Sequence, residues 1–192
     1  MAESAPVITV SAVVLQDDRG WVLLVRKRGT RVLIFPGGKP EAGESARAAA
    51  QREVAEELGV EIPEQNLHPL GRWETAAANE DGHRLIGEVF AYLPAEGVSL
   101  DAVVPRAEIA EIRWVDPGEA AALEEAEGVS IAPLTRDCVF PSLLPGMDRL
   151  GRGHEDAAVR FSPQIPACVG TEAQHDQERV EPSRAAGLEW IR

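Results

Sequence analysis

The segment from Gly37 to Val60, GGKPEAGESARAAAQREVAEELGV, constrains this chain more than any other. Its second half predicts a helix over Ser45 to Leu58. Ser45 is a ready N-cap, the interior is rich in alanine, and Gly59 stands where a left-handed residue would end the helix. Ala50, Val54 and Leu58 recur at i, i+4 and give the helix an apolar stripe for a core. Glu53, Glu56 and Glu57 share a neighbouring face by the same geometry. Like charges at that spacing cost roughly 0.2–0.5 kcal/mol when exposed, and more when partly buried. The chain already carries a net charge of −13, so this crowding asks for a reason. Arg52 offsets part of it. A divalent cation would offset it better, and all-oxygen carboxylate donors suit a hard cation such as Mg²⁺ or Mn²⁺. The plain alternative is a solvated acidic face.

The surroundings of the helix predict strands. Val7–Leu15 and Trp21–Val25 are β-branched and apolar, and Gln16–Gly20 between them reads as a hairpin turn. Val32–Phe35 is a short strand stopped by Pro36-Gly37-Gly38. Strands are expected again near Leu67–Glu74, His83–Leu93 and Ile109–Val115, with a small polar loop at Ala76–Gly82. Asp116 can cap a short helix with Pro117 at its first position. Ala132–Leu144 is a last helix, cut short by Pro141 and Pro145. This order predicts an α+β fold, an α-β-α sandwich with a mixed β-sheet between flanking helices.

One domain over residues 1–146 accounts for these elements. Only seven of the 42 residues from Gly151 to Arg192 are Leu, Ile, Val or Phe, so residues 147–192 are expected to be a disordered tail. No apolar run is long enough for a transmembrane helix, and the N-terminus does not read as a signal peptide. A cytoplasmic protein with no membrane partner is the expectation. The acidic balance argues against nucleic-acid binding. Two cysteines are too few for a disulfide framework, and Cys138 is expected to be a small core residue.

Glycine and acidic positions from Gly38 to Val60 follow one fixed spacing. Gly38 is followed after five residues by Glu44, and after seven more by Arg52-Glu53-Val54-Ala55-Glu56-Glu57-Leu58-Gly59-Val60. This resembles the Nudix box, G-x5-E-x7-R-E-U-x-E-E-x-G-U with U aliphatic, at every constrained position. Phe35–Lys39 and Ile112–Val115 resemble the lead-in and a late strand of MutT-type members, so the resemblance covers about Val7 to Leu144. It implies metal-dependent hydrolysis of a nucleoside diphosphate linked to another moiety. It assigns Glu53, Glu56 and Glu57 to the metal, with a carbonyl of Gly37 or Gly38 completing the shell. Arg52 would orient the carboxylates, and Glu44 would support them.

The general base stays open between a glutamate of the box, Glu56, and a later acidic residue, Glu108, with Glu111 its competitor. Arg26 and Lys27 are candidates for the substrate phosphates, Asn79 for a base edge and His83 for a phosphate. Phe35 and Trp73 are aromatic candidates for stacking or for the core. Thr75-Ala76-Ala77-Ala78 lacks the proline that would mark an ADP-ribose enzyme, and the NADH-pyrophosphatase array is missing. The remaining expectation is a MutT-like enzyme acting on a (d)NTP or modified nucleotide, with a homodimer allowed. The alternatives are a nucleotide sugar, ADP-ribose or dinucleoside polyphosphate as substrate, or a non-catalytic binding module.

Overall fold

The computed structural model describes residues 5–92 and 100–143. The expected tail, and the ends of two predicted elements at Leu93 and Leu144, lie outside them. Among the described residues, eight strands form two four-stranded mixed sheets rather than one. They are β1 (Val7–Val14), β2 (Val22–Lys27), β3 (Val32–Ile34), β4 (Gly37–Gly38), β5 (Leu67–Ala76), β6 (Arg84–Tyr92), β7 (Ile109–Val115) and β8 (Ser130–Ile131). The first sheet runs β4-β1-β6-β5 and the second β7-β2-β3-β8. In the first, β1 pairs parallel with β6, while β4 and β5 are antiparallel to their neighbours.

The expected β1–β2 hairpin is therefore local. Its turn closes through Gly20 N–H to Asp17 O at 2.9 Å and Asp17 N–H to Trp21 O at 2.9 Å. Beyond Leu15 and Leu23 the two strands separate into different sheets. Both faces are then buried over Ser11–Val14 and Val22–Val25, which suits their apolar runs.

The core has two layers, and strand alternation assigns residues to them. Val13, Leu15, Leu23 and Val25 pack with Ala50, Val54 and Leu58 of helix α1 (Ala46–Leu58). Ala12, Val14, Val22 and Leu24 face the other way, toward Leu134, Cys138, Val139 and Phe140. Helix α1 starts where expected: Ser45 Oγ accepts the Ala48 N–H at 3.1 Å, and Gly59 ends it at φ 69°.

The C-terminal elements agree with the sequence reading at Asp116 and differ from it in the last helix. Asp116 caps a 3-10 turn over Pro117–Glu119, its carboxylate accepting the Gly118 N–H at 2.8 Å, and α2 (Ala120–Glu127) follows. Residues Leu134–Val139 form a π-helical turn that leads into α3 (Phe140–Leu143). Pro141 lies inside α3 instead of ending the helix. Two very short strands, β4 and β8, carry too few side chains to show a periodic signal.

Strand β4 turns an expected stop into a paired element. Gly37 and Gly38 lie opposite Ala12 and Ser11 of β1. Gly37 has φ 148°, and a Cβ there would stand 2.1 Å from the Ser11 carbonyl oxygen. Only glycine fits this approach of two backbones. Gly37→Ala should therefore destabilise the protein by about 3 kcal/mol, the scale of a backbone clash at a special conformation. Chemical denaturation checks this, and an unchanged midpoint would contradict the close β1–β4 contact.

Candidate active site

Helix α1 brings Glu53, Glu56 and Glu57 to three different environments. Glu57 is 0% exposed. Its Oε2 accepts the Gly37 N–H at 2.9 Å, so the β4 backbone is one half of its pocket. Its Oε1 forms an ion pair with Lys27 Nζ at 3.1 Å. Burial pushes the Glu57 carboxyl up to about 7, against the opposing pull of the Lys27 charge and the Gly37 N–H. Glu53 lies over Gly38 so closely that a Cβ at Gly38 would stand 2.3 Å from Glu53 Oε1. Glu56 is more than half exposed.

Arg52 ties this face together. Its Nε and Nη2 donate to the two oxygens of Glu44, each at 3.0 Å. Its Nη1 donates to Glu53 Oε1 at 2.9 Å and Glu56 Oε2 at 3.2 Å, and Nη2 reaches the Lys39 carbonyl at 3.3 Å. Glu44 also accepts the Glu41 N–H at 2.8 Å, and these bonds hold its carboxyl below the usual range, chiefly through Arg52. The planar fork of arginine suits this many acceptors in a way that lysine would not.

Glu108 joins the site from the chain before β7. Lys27 Nζ donates to Glu108 Oε1 at 2.8 Å, so one ammonium bridges Glu57 and Glu108. The Glu108 carboxyl is held below its ordinary value, mainly by that bond. The segment carrying it docks on the end of α1: Val104 N–H donates to Leu58 O at 3.2 Å and Arg106 N–H to Glu57 O at 2.8 Å. Arg28 fixes the other side, with its N–H donating to Glu108 O at 2.9 Å and its guanidinium to Ala107 O. Ala107 takes φ 46°, an uncommon backbone conformation for a residue with a side chain.

Some of these groups border a cavity of about 560 Å³, while Glu44, Arg52, Glu56 and Glu57 are outside its lining. Lys27, Arg28, Lys39, Glu53, Glu108 and Asn79 are among its lining residues. Arg26 is not: it pairs with Glu111 at 2.8 Å, and Glu111 also accepts from Arg113 at 3.0 Å. Glu111 is likewise outside the lining. Strand alternation explains the split. Lys27 shares a face with Leu23 and Val25, which pack on α1, whereas Arg26 shares one with Leu24. His83 is also outside the lining, with Nδ1 at 3.1 Å from Asp81 O. Phe35 both lines the cavity and meets Phe140 edge-on at 6.1 Å, and Trp73 is buried in the core. Arg28, Lys39 and Leu134 are lining residues that the sequence reading did not assign to the site. The end of β2 gave a hint of Arg28, which adjoins Lys27.

The sequence profile of the NUDIX domain matches residues 5–138. The chain belongs to the Nudix hydrolase superfamily. It is 33% identical over 162 residues to "Isopentenyl-diphosphate Delta-isomerase" of Mycolicibacterium vanbaalenii, covering 80% of this chain and 83% of that one. It is 26% identical over 106 residues to a Bacillus subtilis (strain 168) protein named "Putative 8-oxo-dGTP diphosphatase", covering 55% of this chain. The match spans 64% of the length of that relative. Among solved structures, a MutT protein from Methanosarcina mazei Go1 shares the Nudix fold with a TM-score of 0.56 at 22% identity, over 75% of this chain and 97% of that one.

Nudix hydrolases generally use divalent metal ions, and the residues here fit one. The donors are carboxylate and carbonyl oxygens, Glu57 is a buried carboxylate, and Glu53 is pressed onto the glycine backbone. As they stand, no three His, Cys, Asp or Glu side chains among the described residues converge as a metal cluster. Lys27 and Arg52 lie against the carboxylates instead. No helix of the described residues is long and apolar enough to cross a membrane.

The raised Glu57 carboxyl gives a signed pH dependence. Its folded value, about 7, exceeds the ordinary 4.5, so between those values the folded state binds more protons than the unfolded one. Stability in the presence of chelator should fall as pH rises from about 4.5 to 7, by on the order of 3 kcal/mol. Glu44, Glu108 and Glu111 are held below the ordinary value and act only at lower pH. Denaturation at stepped pH should show this fall, and Glu57→Gln should flatten it. Equal slopes in the two proteins would rule out Glu57 as its source.

Proposed function

We propose that this protein hydrolyses the pyrophosphate bond of a nucleoside diphosphate linked to another moiety, with a (d)NTP or modified nucleotide as substrate and Mg²⁺ or Mn²⁺ as cofactor. The observation that carries this reading is the buried Glu57 carboxylate, held between the Gly37 N–H and the Lys27 ammonium beside Glu53 and a cavity bearing three cationic side chains. Buried carboxylates cost stability unless a ligand or partner uses them. A cation held by this carboxylate beside a pocket for an anionic substrate would give it a use beyond its contact with Lys27.

Glu53, Glu56 and Glu57, with the Gly38 carbonyl, would hold the ion. When bound, it would neutralise charge on phosphate oxygens and make a bound water more acidic. Lys27, Arg28 and Lys39 line the same cavity and can bind the phosphate oxygens directly. Arg52 keeps Glu53 and Glu56 oriented through the hydrogen bonds already described. Glu108 is ionised at neutral pH and can accept a proton from the attacking water. While Lys27 donates to it, its basicity is low, so transfer of Lys27 to a substrate phosphate would make Glu108 the stronger base. Glu56 is the competing base from the box itself, more than half exposed and held by Arg52. Arg26 and His83, lying outside the lining, have no direct role in this scheme.

The Mycolicibacterium relative supplies a second reading, because its name also specifies a diphosphate. Isomerisation would leave the diphosphate intact, so release of phosphate or pyrophosphate separates the two reactions. A panel of nucleotides plus isopentenyl diphosphate, assayed with Mg²⁺ and with Mn²⁺, tests both. We expect phosphate or pyrophosphate release from at least one nucleotide. Glu53→Gln should lower that kcat at least 100-fold while the circular dichroism spectrum is preserved. Full activity in this variant would remove Glu53 from the metal set.

A further inference from the structure

Ser11 is fully buried, and its hydroxyl makes no hydrogen bond. A buried donor left unused costs stability, and native folds rarely carry one without a reason. Ser11 also borders the cavity, together with Gly38 and Glu53. Alternation along β1 puts its side chain on the face of Val13 and Leu15, which pack under α1. Helix α1 is the element that carries Glu53.

The strand register fixes what lies beside that hydroxyl. Ser11 stands directly opposite Gly38 in the antiparallel β1–β4 pair. Side chains in such positions share a face, with Cβ atoms about 4.5–5.5 Å apart. Gly38 has no side chain, and the Glu53 carboxylate takes its place. A Cβ at Gly38 would stand 2.3 Å from Glu53 Oε1, 2.4 Å from Cδ and 2.8 Å from Oε2. Glu53 is thereby the cross-strand neighbour of Ser11, although it belongs to the helix. Serine has one side-chain torsion, and its rotation carries Oγ toward that neighbour. On the β6 side of β1 the partner of Ser11 is Glu88, whose carboxylate is turned to Arg72 at 3.9 Å. Glu53 Oε1 accepts from Arg52 Nη1 at 2.9 Å. Arg52 thus holds the Glu53 carboxylate from within α1, and Ser11 offers a donor from the sheet.

We propose that Ser11 is a positioning residue for Glu53: when Glu53 exchanges Arg52 for a cation, Ser11 Oγ donates to the carboxylate and fixes its direction. This rests on the cation binding proposed above. Carboxylates that bind a metal are themselves held by hydrogen bonds, and losing such a partner typically costs about 10- to 100-fold in metal affinity. A hydroxyl that is idle in the empty protein and engaged in the loaded one accounts for the missing partner. Its removal should then act in opposite directions on the two states.

Titration of the full chain with Mn²⁺ alone, followed by electron paramagnetic resonance of the free ion, measures affinity without turnover. Glu53→Gln, which removes the carboxylate itself, defines the binding that belongs to this site. Ser11→Ala should weaken that binding about tenfold or more. In chelator, its denaturation midpoint should equal or exceed that of the wild type. With Glu53→Gln already in place, adding Ser11→Ala should change Mn²⁺ affinity no further, because the two residues act as one unit. Unchanged Mn²⁺ affinity in Ser11→Ala would overturn the inference and leave the cation site standing. A lowered midpoint in chelator would give Ser11 a packing role and overturn it as well. A tenfold effect that persists without Glu53 would show that Ser11 acts elsewhere, with the same consequence. A wild type that binds no Mn²⁺ would overturn the cation site together with this inference.

Discussion

The site depends on one buried charge. Glu57 comes from the last turn of α1, receives a hydrogen bond from the β4 backbone, and faces an ammonium from β2. Three elements distant in sequence meet at a single carboxylate. A buried ion is tolerated only with partners, and breaking such a pair costs roughly 3–5 kcal/mol. The positions of β4 and Lys27 are therefore tied to that of α1. This also gives the chain a reason for two glycines in succession. Gly37 must approach Ser11 and present its N–H to Glu57, while Gly38 must leave room for Glu53.

The cations around the carboxylates fit the same electrostatic scheme. Arg52 touches Glu44, Glu53 and Glu56, and Lys27 touches Glu57 and Glu108. Each cation keeps like charges from repelling one another across one helix face. The two are not equivalent. Arg52 is held by five acceptor contacts, whereas Lys27 has two acidic partners and a flexible stem. Lysine is thus the cation better placed to exchange a carboxylate for a phosphate.

Much of this was legible in the sequence, for identifiable reasons. Helix α1 has a capping serine, an apolar stripe and a terminal glycine, so its bounds and its acidic face follow from local rules. The box spacing led to the family. The sheet arrangement was less accessible, because β1 and β2 look like hairpin partners and separate only through long-range pairing with β6 and β7. Strands of two residues, β4 and β8, leave no pattern to read. Within the site, the choice between Arg26 and Lys27 was in fact present in the alternation of β2. Leu23 and Val25 face α1, so the next residue on that face is Lys27.

Leu134 marks where such reading stops. Nothing local distinguishes it from another core leucine, and the proline before it suggests only the start of a helix. Its place follows from a glycine nearly fifty residues earlier on β6, which gives it room. Side chains that bind charge announce themselves through types and spacings that chemistry restricts. Side chains that shape a cavity are ordinary apolar residues, and their roles come from what lies opposite. For an enzyme family with one reaction and many substrates, the chemistry is therefore written in a short local motif. Contacts such as that between Leu134 and Gly87 are of the second kind, set by packing and not by a local motif.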